Sequence, residues 1–517
     1  MIHVWPLYQY TMVDETTKDV VSQDSTTQSS PSQGRSVDVV DGRLFKPLVV
    51  LSAPIVLAEG LDMVYFLVDL YWIGHLGTDA IAAMSYAWPV IYLGMSVGFG
   101  IVTAGTVLVA QYKGTGRFRA IPSAAGGTIS FVTILSAVLA IAGYALTPWL
   151  LTLVGALPET APHTLAVQYA RITFLGLVPT FWFFVFNALS RGWGDTRTPL
   201  KLMAVSTTIN VVIDPFLIHG FSANPLFEWA GLSALETSLY AQTGFAGYGI
   251  EGAAVATVLS RSVAAALGLY ILFSGRLGFE ITPSSLRLRR STVTQIVKIG
   301  SPTVVEMTVR AGGVAVLTAI IAIEGAAAVA AYGISEYLVG ILFVISLGLA
   351  RGVEAVVGQN LGAGQLARAK RAVYLSGGIA VALFTCIVAG AYPFAESIVG
   401  VFLAVEGGDV AADAVVQGGA AFIRVVGPAL IFFAVFQVIL GAFRGSGNTK
   451  LAMMMASLEL LVFRIPLSYA ALVWLEAGVT GVWYSIAFSY VIASVVAAVW
   501  FFRGAWIIPS VLSKQDQ

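Results

Sequence analysis

Long apolar runs alternate with short polar breaks along almost the whole chain, and the runs have the wrong length and texture for strands. A helix needs roughly 20 apolar residues to cross about 30 Å of hydrocarbon, whereas a crossing strand needs only about ten alternating ones. Twelve stretches rich in Ala, Gly and Leu meet the helical requirement: 44–73, 81–111, 121–147, 165–189, 199–219 and 246–274, then 295–323, 327–358, 372–402, 420–442, 451–475 and 479–502. The pattern predicts an all-α integral membrane protein with 12 transmembrane helices. The polar breaks divide it into a disordered N-terminal tail (1–43), a six-helix lobe (44–274), a linker (275–293), a second six-helix lobe (294–503) and a C-terminal tail (504–517).

Charge assigns the two sides. Loops after helices 2, 4, 6, 8 and 10 hold sixteen Lys or Arg, from Lys113, Arg117 and Arg119 through the Arg276–Lys298 stretch to Arg444 and Lys450. The intervening loops hold none, but carry acids such as Asp79, Glu159, Glu228, Glu236, Glu406 and Asp409. Cations are retained on the cytoplasmic side, so both termini and the linker are expected in the cytoplasm and the protein in the cell membrane. The lead before residue 44 has no long apolar core and does not read as a signal peptide.

Composition narrows the function. Of 517 residues 57% are hydrophobic and 11% charged, with 28 Lys+Arg balanced by 28 Asp+Glu, which leaves no basic excess for a nucleic-acid partner. A single cysteine, Cys386, permits no internal disulfide and no thiolate metal site. The histidines His3, His75, His163 and His219 are scattered, and no phosphate-cradling G-x-x-x-x-G-K-[ST] segment is present, so neither an enzyme nor an ATP-driven pump is expected.

The second half repeats the first. An offset of 248 aligns Pro54 with Pro302, Gly77 with Gly325, Gln111 with Gln359 and Gly114 with Gly362. An offset of 253 pairs Arg191-Gly192 with Arg444-Gly445, and one of 229 pairs Gly249 with Gly478, which places an insertion in the outer loop between about 220 and 245. An even helix number enters both copies in the same sense, so two bundles related by a pseudo-twofold axis along the membrane normal are expected, with the substrate path between them.

Shared glycines and prolines describe scaffold; chemistry is better sought where the copies differ. Asp69 aligns with Leu317, Asn187 with Leu440, Asn210 with Phe463, Asp214 with Leu467 and Thr257 with Ile486. Asp62, Tyr65 and Asp69 share one face of helix 1, and Asn210 and Asp214 stand one turn apart on helix 5, where Pro215 should loosen the turn. Carboxylates in hydrocarbon are costly, so Asp69 and Asp214 should hold a cation, share a proton or contact a watered cavity. Opposite charges in the second half, including Glu306 with Arg310 and Arg351 with Glu354, suggest mutual neutralisation within each helix. Trp88, Tyr92, Trp182 and Phe186 could stack on planar cations or face lipid.

These residues resemble the multidrug and toxic compound extrusion (MATE) family over about 44–503. The likeness rests on Gly74-His75-Leu76-Gly77, the twin segments Val109–Gly116 and Val357–Gly364, Arg191–Thr196, Asn210–Pro215 and Gly249–Thr257. It implies a V-shaped pair of bundles that exports small, mostly cationic organic compounds in exchange for H⁺ or Na⁺, as a monomer and with no other cofactor. In the branch resembling archaeal members, Asp69, Asn210, Asp214 and Thr257 match the ion-coupling positions, with Asn187 and Tyr65 nearby. A possible Na⁺ would sit at Asp69, Asp214, Asn210 and Thr257. Asp62, Tyr65, Glu306 and Arg310 are cavity candidates; another branch carries a glutamate where this chain has Arg310, one turn after Glu306. A lipid-linked saccharide flippase is the alternative, which unpaired Arg310, Arg351 and Arg464 in one cavity would favour.

Overall fold

The computed structural model describes residues 39–40, 42–222, 224–401, 410–504 and 506–507. The tail before residue 39, the outer-loop acids Glu406 and Asp409 and the segment from 508 onward lie outside them. Among the described residues there is no strand, and the long apolar helices number twelve when one bent pair is taken as a single span. They are α1 (Phe45–Gly74), α2 (Thr78–Gly114), α3 (Phe118–Leu153), α4 (Ala161–Leu175 with Leu177–Trp193), α5 (Arg197–His219) and α6 (Ile250–Phe273), followed by α7 (Arg290–Glu324), α8 (Ala327–Gly362), α9 (Leu366–Gly400), α10 (Asp413–Gly445), α11 (Thr449–Trp474) and α12 (Gly478–Phe502).

Each half buries its own core. One cluster runs from Tyr65 to Ile299 and includes Leu277, Phe279 and Ile281 of the segment between α6 and α7; the other runs from Leu317 to Trp506. On the outside, Ile134, Val138 and Ile141 recur at helical spacing along α3 and are more than half exposed, as a lipid-facing stripe requires.

The pseudo-twofold relation is visible contact by contact. In an interface of this symmetry, if residue i meets j, the equivalent of i meets the equivalent of j. A Cβ on Gly114 would meet the Gln359 carbonyl, and a Cβ on Gly362 the Gln111 carbonyl. The Gln111 amide donates to the Gly445 carbonyl and the Gln359 amide to that of Gly192, at 3.4 and 2.9 Å. Gly100 lies against Val304 and Gly348 against Val56. All of these cross-bundle contacts fall in the half of the helices nearest the basic loops, so the bundles are sealed together at that end.

Departures from regular helix have local causes. α4 bends by 52° at Gly176, where Pro179 opens the following segment without an N–H to give back. Helix α11 contains π-helical stretches, Leu458–Arg464 and Ala470–Trp474, on either side of Pro466. After Pro215 the side-chain amide of Asn224 donates to the Pro215 and Gly220 carbonyls at 2.9 and 2.8 Å, which closes the loosened end of α5. The insertion folds as two short helices, Pro225–Trp229 and Ser233–Thr243, with Trp229 against Tyr71 and Trp72.

The polar lead ends earlier than its composition suggests. Val39 is fully buried, and its carbonyl accepts from Asn360 at 3.1 Å and Arg368 at 3.0 Å, which with the Arg368 contact to the Gly42 carbonyl ties Val39 and Gly42 to the second bundle. A few apolar side chains within a polar stretch were sufficient to dock it.

Candidate ion and substrate site

Asp69 of α1 and Asp214 of α5 are buried neighbours, close enough for each carboxyl to influence the other. The Tyr169 hydroxyl donates to Asp69 Oδ2 at 3.4 Å, and the Asn210 amide donates to Asp214 Oδ1 at 3.2 Å, the i,i+4 contact expected from their spacing. What these contacts leave over is informative. Asp69 Oδ1, Asp214 Oδ2, Asn210 Oδ1 and Thr257 Oγ1 are all buried oxygens without a hydrogen-bond partner. They are four of sixteen such side-chain atoms among the described residues, distinguished by belonging to two neighbouring carboxyls and to an amide and a hydroxyl, a set of hard oxygens that suits a small hard cation or a shared proton. Among the described residues no three His, Cys, Asp or Glu side chains gather to hold a transition metal.

The neighbouring polar groups extend this cluster toward the cleft. The Tyr65 and Ser260 hydroxyls are 2.7 Å apart. Arg261 pairs with Asp62 and lies over the Tyr65 ring at 4.7 Å. Asp62 is thus neutralised within its own bundle. Asn187 donates to the Phe183 carbonyl at 2.9 Å, along its own helix, and its side chain lines the cleft.

Two cavities occupy the space between the bundles. The first, about 250 Å³, is lined from both sides, among others by Glu59, Asp62, Asn187, Arg191, Arg261 and Arg351. The second, about 400 Å³, lies mainly against the second bundle, with Glu306, Arg310, Glu336, Glu459 and Arg464 facing Trp88 and Tyr92 of α2. Trp88 and Tyr92 therefore do reach a cavity, whereas Phe186 is wholly buried and Trp182 donates to Thr133 at 2.8 Å.

The second-bundle charges are neutralised, in part by other partners than helical spacing implies. Glu306 is buried and pairs with Arg444 of α10, while Arg310 stands 4.0 Å away and rests over Phe343. Arg351 does not pair with Glu354; it crosses the cleft to Glu59 of α1. Arg464 pairs with Glu459. Long guanidinium side chains reach neighbouring helices as easily as their own, so i,i+3 and i,i+4 spacing is a weak guide inside a bundle.

Glu59, Tyr169 and Arg261 are the residues here that sequence reasoning did not single out. The asymmetry that selected Asp69 holds for them too: the same offsets place Glu59 opposite Met307, Tyr169 opposite Phe422 and Arg261 opposite Tyr490.

Two six-helix bundles around a polar cleft, with carboxylates buried in both of them, define a membrane transporter of the secondary-active class. The MatE family model matches residues 54–216 and 302–470, once in each half, and the chain belongs to that family, the MATE transporters. It is 25% identical over 473 residues to the probable multidrug resistance protein NorM of Thermotoga maritima, covering 91% of this chain and 95% of that one. It is 25% identical over 428 residues to the multidrug export protein MepA of Staphylococcus aureus (80% and 85%), and 28% identical over 329 residues to a FAD transporter of Shewanella oneidensis (64% and 68%). An outward-facing multidrug resistance MATE transporter superposes with a TM-score of 0.79 at 21% identity, over 90% of this chain and 98% of that one. A MOP superfamily transporter from Pyrococcus furiosus gives 0.80 at 22%, over 90% and 97%.

Proposed function

We propose that the chain is a multidrug efflux antiporter of the cell membrane that exports small organic, mostly cationic compounds in exchange for H⁺ or Na⁺, acting as a monomer without a resident cofactor. The observation that carries the reading is the set of four unpartnered buried oxygens on Asp69, Asp214, Asn210 and Thr257. An ion bound there would neutralise both carboxylates. Asn187 and Tyr65 belong to the polar surroundings of the same path, and the cleft between the bundles takes the substrate.

With the basic loops in the cytoplasm, the cleft is sealed inward, and both termini are cytoplasmic. In this state an ion entering from outside reaches Asp69 and Asp214. Its binding favours the arrangement in which the cleft turns inward, and substrate loading favours the return. A coupling of about 1–3 kcal/mol changes affinity roughly 5- to 150-fold, and a potential of 100 mV adds about 2.3 kcal/mol per charge, so modest coupling is sufficient.

The flippase alternative asked for unpaired Arg310, Arg351 and Arg464. Arg351 and Arg464 are paired, and Arg310 lies 4.0 Å from Glu306, so that reading has no support from the cavity. The test is reconstitution in liposomes with pH and sodium gradients imposed separately, following efflux of a fluorescent organic cation. Wild-type protein should respond to one gradient, and Asp69→Asn should stay folded but lose the response. Undiminished coupled efflux by that variant would remove Asp69 from the mechanism.

A further inference from the structure

The two halves are unequal at a second place, and there the difference concerns an arginine. Arg191 and Arg444 are equivalent under the repeat, each near the end of its helix and each facing the cleft. In the second bundle Arg444 is buried against Glu306. The position equivalent to Glu306 in the first bundle is Ala58. Ala58 lines the same cavity as Arg191, so the carboxylate that compensates one arginine is missing beside its twin.

Nothing else takes that place. Among the described residues the Arg191 side chain makes no hydrogen bond and has no carboxylate oxygen within 4.0 Å. The carboxylates whose charge it feels are Glu59, already held by Arg351, and Glu354, which lines the same cavity but makes no ion pair with Arg191. The neighbouring guanidinium of Arg351, from the opposite bundle, adds positive charge. A guanidinium on a cavity wall with no direct ion-pair or hydrogen-bond partner can take an anionic group, since its five N–H donors are unfilled. The rest of the cavity is suited to a planar molecule: Phe99, Phe183, Phe184, Tyr92 and Phe343 line it.

We propose that Arg191 binds a carboxylate or phosphate group of the transported compound, so that aromatic compounds carrying an acidic group are substrates along with cations. The proposal rests on the efflux reading and names a substrate class for it. The anionic group takes the place beside Arg191 that Glu306 takes beside Arg444, and the ring system lies among the phenylalanines.

The test compares two dyes with the same ring system and opposite charge, carboxyfluorescein and rhodamine 123, by fluorescence polarisation with purified full-length protein in nanodiscs. Wild type should bind both. Arg191→Gln should lower the ratio of carboxyfluorescein to rhodamine affinity at least tenfold, and Arg191→Lys by no more than about threefold. Ala58→Glu, which restores the missing carboxylate, should lower the ratio as much as Arg191→Gln. Failure of wild type to bind carboxyfluorescein overturns the proposal, as does an unaltered ratio in both Arg191→Gln and Ala58→Glu. Binding is read without any gradient, so a failure of coupled rhodamine efflux counts against the antiport reading and leaves the assignment of Arg191 to be judged by the ratio.

Discussion

Arg351 of α8 reaches across the cleft to Glu59 of α1, joining the two bundles by an ion pair just above the glycine-rich contacts that seal them. Both side chains are about one-fifth exposed, so the pair is neither a solvated surface contact nor fully buried. Its loss should favour separation of the bundles at that end by roughly 1–2 kcal/mol, between the values for exposed and buried pairs. Glu59→Gln is expected to shift the population toward the inward-open form, and the exchanged pair Glu59→Arg with Arg351→Glu to recover part of it. Distances between spin labels on the basic loops report both.

The seal itself depends on the absence of side chains. A Cβ on Gly114 would come within 2.0 Å of the Gln359 carbonyl oxygen, a backbone atom that cannot turn aside. Gly114→Ala and Gly362→Ala should each cost the sealed state about 1–3 kcal/mol by overpacking. Gly390→Ala, with nothing within 4 Å, is the control and should behave as wild type. Accessibility of cysteines placed in the adjacent cleft to a thiol reagent added from the cytoplasmic side separates the three.

Glu306 is expected to be structural. Replacement by Gln leaves Arg444 buried without its carboxylate, a loss of about 3–5 kcal/mol for a buried pair. Thermal unfolding in detergent should show a lowered midpoint in Glu306→Gln even at saturating substrate. An unchanged midpoint would mean that Arg444 finds another partner, with Glu354 the nearest candidate.

Tyr169 holds one oxygen of Asp69 and leaves the other free. Tyr169→Phe removes that donor without changing ring packing, and a single hydrogen bond of about 1 kcal/mol corresponds to roughly a fivefold change in ion affinity. Transport should persist with a shifted dependence on ion concentration, which flux measurements at graded pH and graded sodium will show. Complete loss of flux would instead mean that Tyr169 carries the proton itself.

Much of this architecture is legible in the chain because the membrane limits what an apolar run can be. Twelve runs gave twelve spans, and the offsets of the repeat found pairs such as Gln111 and Gln359 that make reciprocal contacts. The proposed site residues Asp69, Asn210, Asp214 and Thr257 were selected for a related reason: a polar group present in one copy alone stands out against its apolar twin. Pairing among charges was not. Arg351 binds Glu59, which is 292 residues away, and local spacing carries no record of a partner on another helix. Asn187, chosen by the same rule as Asp69, lies along the cleft wall with its amide held by its own helix. The rule detects polarity in one copy; it cannot say which way the side chain turns.

The reciprocal glycine contacts at Gly114 and Gly362 mean that the innermost turns are closed by peptide groups and not by charges. Such a bulkhead closes by shape, and only the Glu59–Arg351 ion pair beside it offers salt or pH something to weaken; the peptide contacts themselves give way only when whole helices move.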